Sequence, residues 1–108
     1  MDGKAASLRM FGLQSLDPQI GEAALVAAQS ILSREGVTAS EAIRAYQADL
    51  MLAEGLAEDE RTDDHYQEHG ASLKACEAYY AARDAAEVAI AKLDPASSGF
   101  KVLFTLAS

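Results

Sequence analysis

Apolar and polar positions follow two different periods along this chain, and the switch between them marks the expected elements. Near the start, Ala6, Leu8 and Met10 alternate with Ser7, Arg9 and Phe11, which predicts a short strand with the two sets on opposite faces. From residue 18 the period becomes helical. Ile20, Ala24, Ala27 and Ile31, flanked by Leu25, Ala28 and Leu32, form a broad apolar stripe that ends near Glu35. Asp17 is placed to cap the free amides of this helix, Pro18 suits its first position, and Gly36 suits a left-handed stop.

The segment Thr38-Ala39-Ser40-Glu41 is a capping box, with Val37 and Ala42 placed as a hydrophobic staple, so a second helix begins there. Its inward positions read as Ile43, Tyr46, Leu50, Ala53 and Leu56, until Gly55 and the run Glu58 to Asp64 break the pattern and predict a linker. A third helical stretch spans about 64–93, with Leu73, Cys76, Tyr80, Ala86, Ile90 and Leu93 inward. Gly70 lies inside it and predicts a kink or a split. Asp94-Pro95 ends the stretch, and Phe100 to Leu106 alternates as a short C-terminal strand.

Composition narrows the function. A chain of 108 residues is one domain's worth. Nine Lys and Arg against seventeen Asp and Glu give a net charge of −8, which argues against a simple nucleic-acid coat and for a basic partner. The charge is uneven: residues 1–52 carry a net −2 and residues 53–108 a net −6. A single cysteine, Cys76, cannot form an internal disulfide, and neither a leader pattern nor a membrane-length apolar run is visible, so a cytoplasmic location is expected with no membrane contact.

Strand, helix, glycine turn and capped helix within about fifty residues are too little for a core, but two copies can pair strands and interlock helices. The segment Gly36-Val37-Thr38-Ala39-Ser40-Glu41-Ala42-Ile43-Arg44 resembles the turn and second-helix start of RelB/DinJ-like ribbon-helix-helix antitoxins, a likeness that covers about residues 7–52. It implies a mainly α protein whose N-terminal half, 1–52, is a dimeric ribbon-helix-helix module. An acidic helical partner-binding region with a C-terminal strand, 53–108, would follow it. Against the family pattern, the interval from Asp17 to Gly36 is about one turn longer and the ribbon carries a single arginine.

The resemblance implies DNA contacts from Lys4, Ser7 and Arg9 on the ribbon and its arm, with Arg9 the base reader. Thr38, Ala39 and Ser40 would meet phosphate at the start of the second helix. The implied function is an antitoxin: residues 53–108 cover a small basic toxin, with Phe100, Val102, Phe104 and Leu106 as apolar anchors, and residues 1–52 bind operator DNA as a homodimer. The alternative from another class is an acidic all-helical interaction protein, such as a secretion chaperone or a mobile-element inhibitor that occupies a basic nucleic-acid-binding surface.

Catalytic chemistry has little purchase, and neither an enzyme nor a cofactor is expected. His65, His69, Ser72 and Cys76 share a helical face, yet serine is a poor zinc ligand and the spacing matches no common zinc motif, so no metal site is assigned. The carboxylates of Glu58, Asp59, Glu60, Asp63 and Asp64 read as a solvated hinge rather than a Mg²⁺ or acid–base cluster. Tyr80-Ala81-Ala82-Arg83-Asp84 resembles a secretion signal of helical hairpins, but the tryptophan expected with it is absent. Tyr79 and Tyr80 are read instead as core or dimer contacts.

Overall fold

The computed structural model describes residue 13 and residues 16–102. Four α-helices follow one another: α1 (Pro18–Glu35), α2 (Ala39–Leu52), the single-turn α3 (Asp63–Gln67) and α4 (Leu73–Leu93). Short 3₁₀ turns lie at Glu58–Glu60 and Pro95–Ser97.

Local chemistry sets both ends of α1 and the start of α2 where the sequence placed them, whereas α2 stops at Leu52, short of the expected Leu56. Asp17 Oδ1 accepts from the Gln19 amide at 3.0 Å, with Pro18 at the first position of α1. Gly36 stops the helix at φ 67°, and the Val37 N–H returns to the Leu32 carbonyl at 2.9 Å, closing the exposed end of the ladder. In α2 the capping box is complete: the Glu41 amide donates to Thr38 Oγ1 at 3.1 Å and the Thr38 amide to Glu41 Oε1 at 2.9 Å. The third helical stretch is split at Gly70, whose φ of 72° turns the chain between α3 and α4. Ser72 Oγ then accepts from the Ala75 amide and Asp63 Oδ1 from the Leu73 amide, so α3 caps the helix that follows it.

The long helix α4 organises the core. It packs mainly along α1 and next along α2, while α1 and α2 touch each other little. Alanines make this close approach feasible: Ala24 and Ala28 on α1, Ala45 and Ala48 on α2, and Ala78, Ala82 and Ala86 on α4 are buried. Leu13, Ile43, Tyr79, Ile90 and Val102 fill the remaining space.

Three expectations are corrected. The ribbon-helix-helix fold is not seen: the structure is mainly helical with no strand among the described residues, and the predicted strand at 6–11 lies outside them. The physical reason is that α4 offers its apolar face to α1 and α2 within the same chain, so these helices do not depend on a second copy to be covered. The C-terminal strand is absent over its described part, 100–102. The Phe100 N–H bonds back to the Ser97 carbonyl and the Val102 N–H to Glu87 Oε2, which leaves neither donor for a strand partner. Finally, the buried residues of α2 are Ala42, Ile43, Ala45, Ala48, Asp49 and Leu52, so of the expected inward set Ile43 is buried but Leu50 and Ala53 are exposed, as is Leu93 on α4. The small alanines of this face let α2 approach its neighbours closely, which leaves Leu50 on the outer side.

Candidate functional site

Rotating α2 onto its alanine face turns Asp49 inward, where it is the buried charged side chain of the described core, 7% exposed. Its burial is compensated on every side. Arg61 Nη1 donates to Oδ1 at 2.8 Å, Tyr66 Oη to Oδ1 at 2.7 Å, and Tyr80 Oη to Oδ2 at 2.6 Å. Arg61 also donates through Nε and Nη2 to the Leu56 carbonyl at 3.3 and 3.2 Å. One carboxylate therefore ties α2 to the linker, to α3 and to α4.

The electrostatics follow from these contacts. Burial pushes the Asp49 carboxyl up, but the hydrogen bonds from Tyr80, Tyr66 and Arg61, with the charge of Arg61, outweigh it and hold the group below the ordinary carboxylate value. Burial, reinforced by the bond to Asp49, raises the Tyr66 and Tyr80 hydroxyls well above their usual value. Burial pushes the Cys76 thiol up to about 11, so at neutral pH it is a protonated, weakly nucleophilic group. A carboxylate that already accepts three hydrogen bonds is a poor general base, and the cluster is built to stay ionised and fixed.

All four tyrosines of the chain gather here. Tyr46 stacks on Tyr79 with ring centroids 4.3 Å apart, Tyr79 meets Tyr80 edge-on at 5.3 Å, and the Arg83 guanidinium lies 4.9 Å from the Tyr80 ring centre. The reading of Tyr79 as a core residue agrees with its complete burial. Beside this cluster opens a cleft of about 400 Å³, with Asp49, Tyr66 and Cys76 among its buried lining and Glu58 and Glu77 at its exposed edges.

The linker gives the surface its sign. Between residues 54 and 68 the carboxylates of Glu54, Glu58, Asp59, Glu60, Asp64 and Glu68 are exposed, and the sole lysine or arginine of that stretch, Arg61, is turned inward, its side chain 13% exposed.

The residues singled out from sequence fall in several places. Thr38 is exposed, with its hydroxyl engaged by the capping box, and Ala39 and Ser40 are half-buried beside it. Phe100 is half-buried and Val102 is 2% exposed, packed into the core. Lys4, Ser7, Arg9, Phe104 and Leu106 lie outside the described residues. His65 Nδ1 lies 3.0 Å from the Thr62 amide, which donates to it at the start of α3. Among the described residues no group of three or more His, Cys, Asp or Glu side chains is arranged to hold a metal. Sequence reading missed Asp49 and its partners. The signal was a carboxylate at position 49 in register with Ala42, Ala45 and Leu52, visible once alanine is counted as a core residue.

Comparison with protein-family models, with curated proteins and with solved structures returned no significant match.

Proposed function

We propose that this chain is an acidic helical interaction protein that acts by covering a basic surface of a protein partner. The observation that carries the reading is the segregation of charge in the linker: Arg61 is drawn in to Asp49, and six carboxylates between Glu54 and Glu68 stay on the surface without that cation to offset them. Such a single-sign surface steers a basic partner and repels nucleic acid. The helical core supports it as a rigid platform, since the Asp49 cluster fixes the linker to three helices.

Neutralisation of a small basic toxin is one form of this function. The six exposed linker carboxylates fall within 53–108, the half expected to meet the toxin. A basic nucleic-acid-binding protein whose surface is occupied by this chain is the other form.

The test is co-expression with the products of the genes that flank its own, followed by light scattering and nucleic-acid competition. The expected result is a stoichiometric complex with a basic protein that dissociates as salt rises and no longer binds nucleic acid. Absence of any such complex at low salt, or selective binding of the isolated chain to duplex DNA through Arg9, would overturn it.

A further inference from the structure

We infer that the cleft between the linker and α4 is a receptor for a cationic side chain, arginine or lysine, projecting from the protein partner. The inference rests on the reading of the chain as a cover for a basic surface and locates the contact that anchors it. Three features of the cleft, about 400 Å³ in volume, select this ligand.

The first is the polarity of its hydrogen-bonding groups. Tyr66 and Tyr80 direct their O–H donors to Asp49, so the lone pairs left on their oxygens act only as acceptors. Arg61, the cation of the lining, gives three of its five N–H groups to the Leu56 carbonyl and Asp49. The two tyrosine oxygens thus offer acceptor lone pairs to an N–H donor.

The second feature is charge. Asp49 and Arg61 cancel, and Glu58 and Glu77 at the exposed edges remain. The third is that Leu73 and Cys76 supply apolar lining along which the methylene stem of a long cationic side chain can lie. An anionic ligand would be repelled by the two edge carboxylates. Edge carboxylates around a floor that mixes polar groups with Leu73 and Cys76 also match an interface hot spot, in which a central side chain is buried within a polar rim.

The experiment titrates ¹⁵N-labelled full-length chain with acetyl-hexaarginine amide and, separately, with acetyl-hexalysine amide, at low and physiological salt. Two double variants are run beside it: Glu58→Gln/Glu77→Gln at the cleft, and Glu54→Gln/Glu68→Gln, which removes equal charge from exposed linker positions outside the cleft lining. Amide shifts are expected to concentrate at Tyr66, Leu73, Cys76, Glu77 and Tyr80. The cleft variant should bind about tenfold more weakly, and the control should change by less than about threefold at physiological salt. Tighter binding of one peptide identifies which cation the cleft prefers, and either preference fits. Binding with shifts spread over the acidic surface, or equal losses in both double variants, would overturn the cleft while leaving the acidic-cover reading standing. No binding of either peptide at low salt would overturn both.

Discussion

Arg61 reaches back twelve residues to place its Nη1 2.8 Å from Asp49 Oδ1, with both side chains almost wholly removed from solvent. This pair converts a charged linker into a fixed strut, because the same guanidinium holds the Leu56 carbonyl and the same carboxylate holds Tyr66 and Tyr80. Removing the carboxylate strands three donors, whereas removing the guanidinium leaves Asp49 with its two hydroxyls. Asp49→Ala is therefore expected to cost about 3 kcal/mol, and Arg61→Ala distinctly less. In urea melts the double variant should be close to Asp49→Ala alone, and strict additivity would show that the two act independently.

The turn between α1 and α2 combines a left-handed glycine with a capping box, and the two make separable contributions. A Cβ at Gly36 would meet nothing within 4 Å, so Gly36→Ala tests the φ of 67° alone and is expected to cost about 1 kcal/mol, with Gly36→Asn costing less. Thr38→Ala removes the acceptor for the Glu41 amide and is expected to cost about 1 kcal/mol. Thermal melts of the single variants and their combination check both values.

These caps were legible because each depends on residues within four positions of one another: Asp17 with Pro18, Gly36, Thr38 with Glu41. The break at Gly70 was legible for the same reason. The facing of the helices was less so. In α2 the stripe through Ile43, Tyr46 and Leu50 looked inward by hydrophobicity; Ile43 is buried and Tyr46 half-buried, yet the helix also turns its alanines inward and leaves Leu50 and Met51 exposed. Hydrophobicity ranks leucine above alanine, whereas close helix approach ranks them the other way, and only the tertiary partner decides between the two. Asp49 was overlooked as a direct consequence, since its donors are up to 31 residues away in sequence. The ribbon expectation failed similarly: a nine-residue capped turn is local, and it carries no information that α4 will cover α1 and α2 from within the chain.

Val102 offers a test of what the C-terminal segment does in the free protein. Its side chain is 2% exposed and its N–H is held by Glu87 Oε2 at 3.0 Å, so it belongs to the core of the isolated chain. Val102→Ala is expected to lower stability by about 2 kcal/mol in a urea melt performed without any partner. A change within about 0.5 kcal/mol would mean that the segment is not docked in solution.

The Asp49 cluster also sets the pH limits of stability, through opposite shifts on its two kinds of group. Asp49 titrates below its ordinary 3.8 in the folded chain, so its contribution is complete above that value and is lost as pH falls through the folded one. Tyr66 and Tyr80 are shifted the other way, above their ordinary 10.0. The folded chain keeps their protons when the unfolded chain has released them, and the stability this confers is present below pH 10 and declines as pH climbs past it. Urea midpoints measured from pH 3 to pH 11.5 should fall at both ends. Asp49→Asn should flatten the acid limb, and Tyr66→Phe should reduce the slope of the alkaline limb. Phenolate absorbance supplies an independent reading: in the folded protein at pH 11 the Tyr66 and Tyr80 hydroxyls should remain un-ionised, and their signal should appear together with unfolding. Ionisation of Tyr66 and Tyr80 while the helical circular-dichroism signal is intact would show that these hydroxyls do not bond to Asp49 in solution.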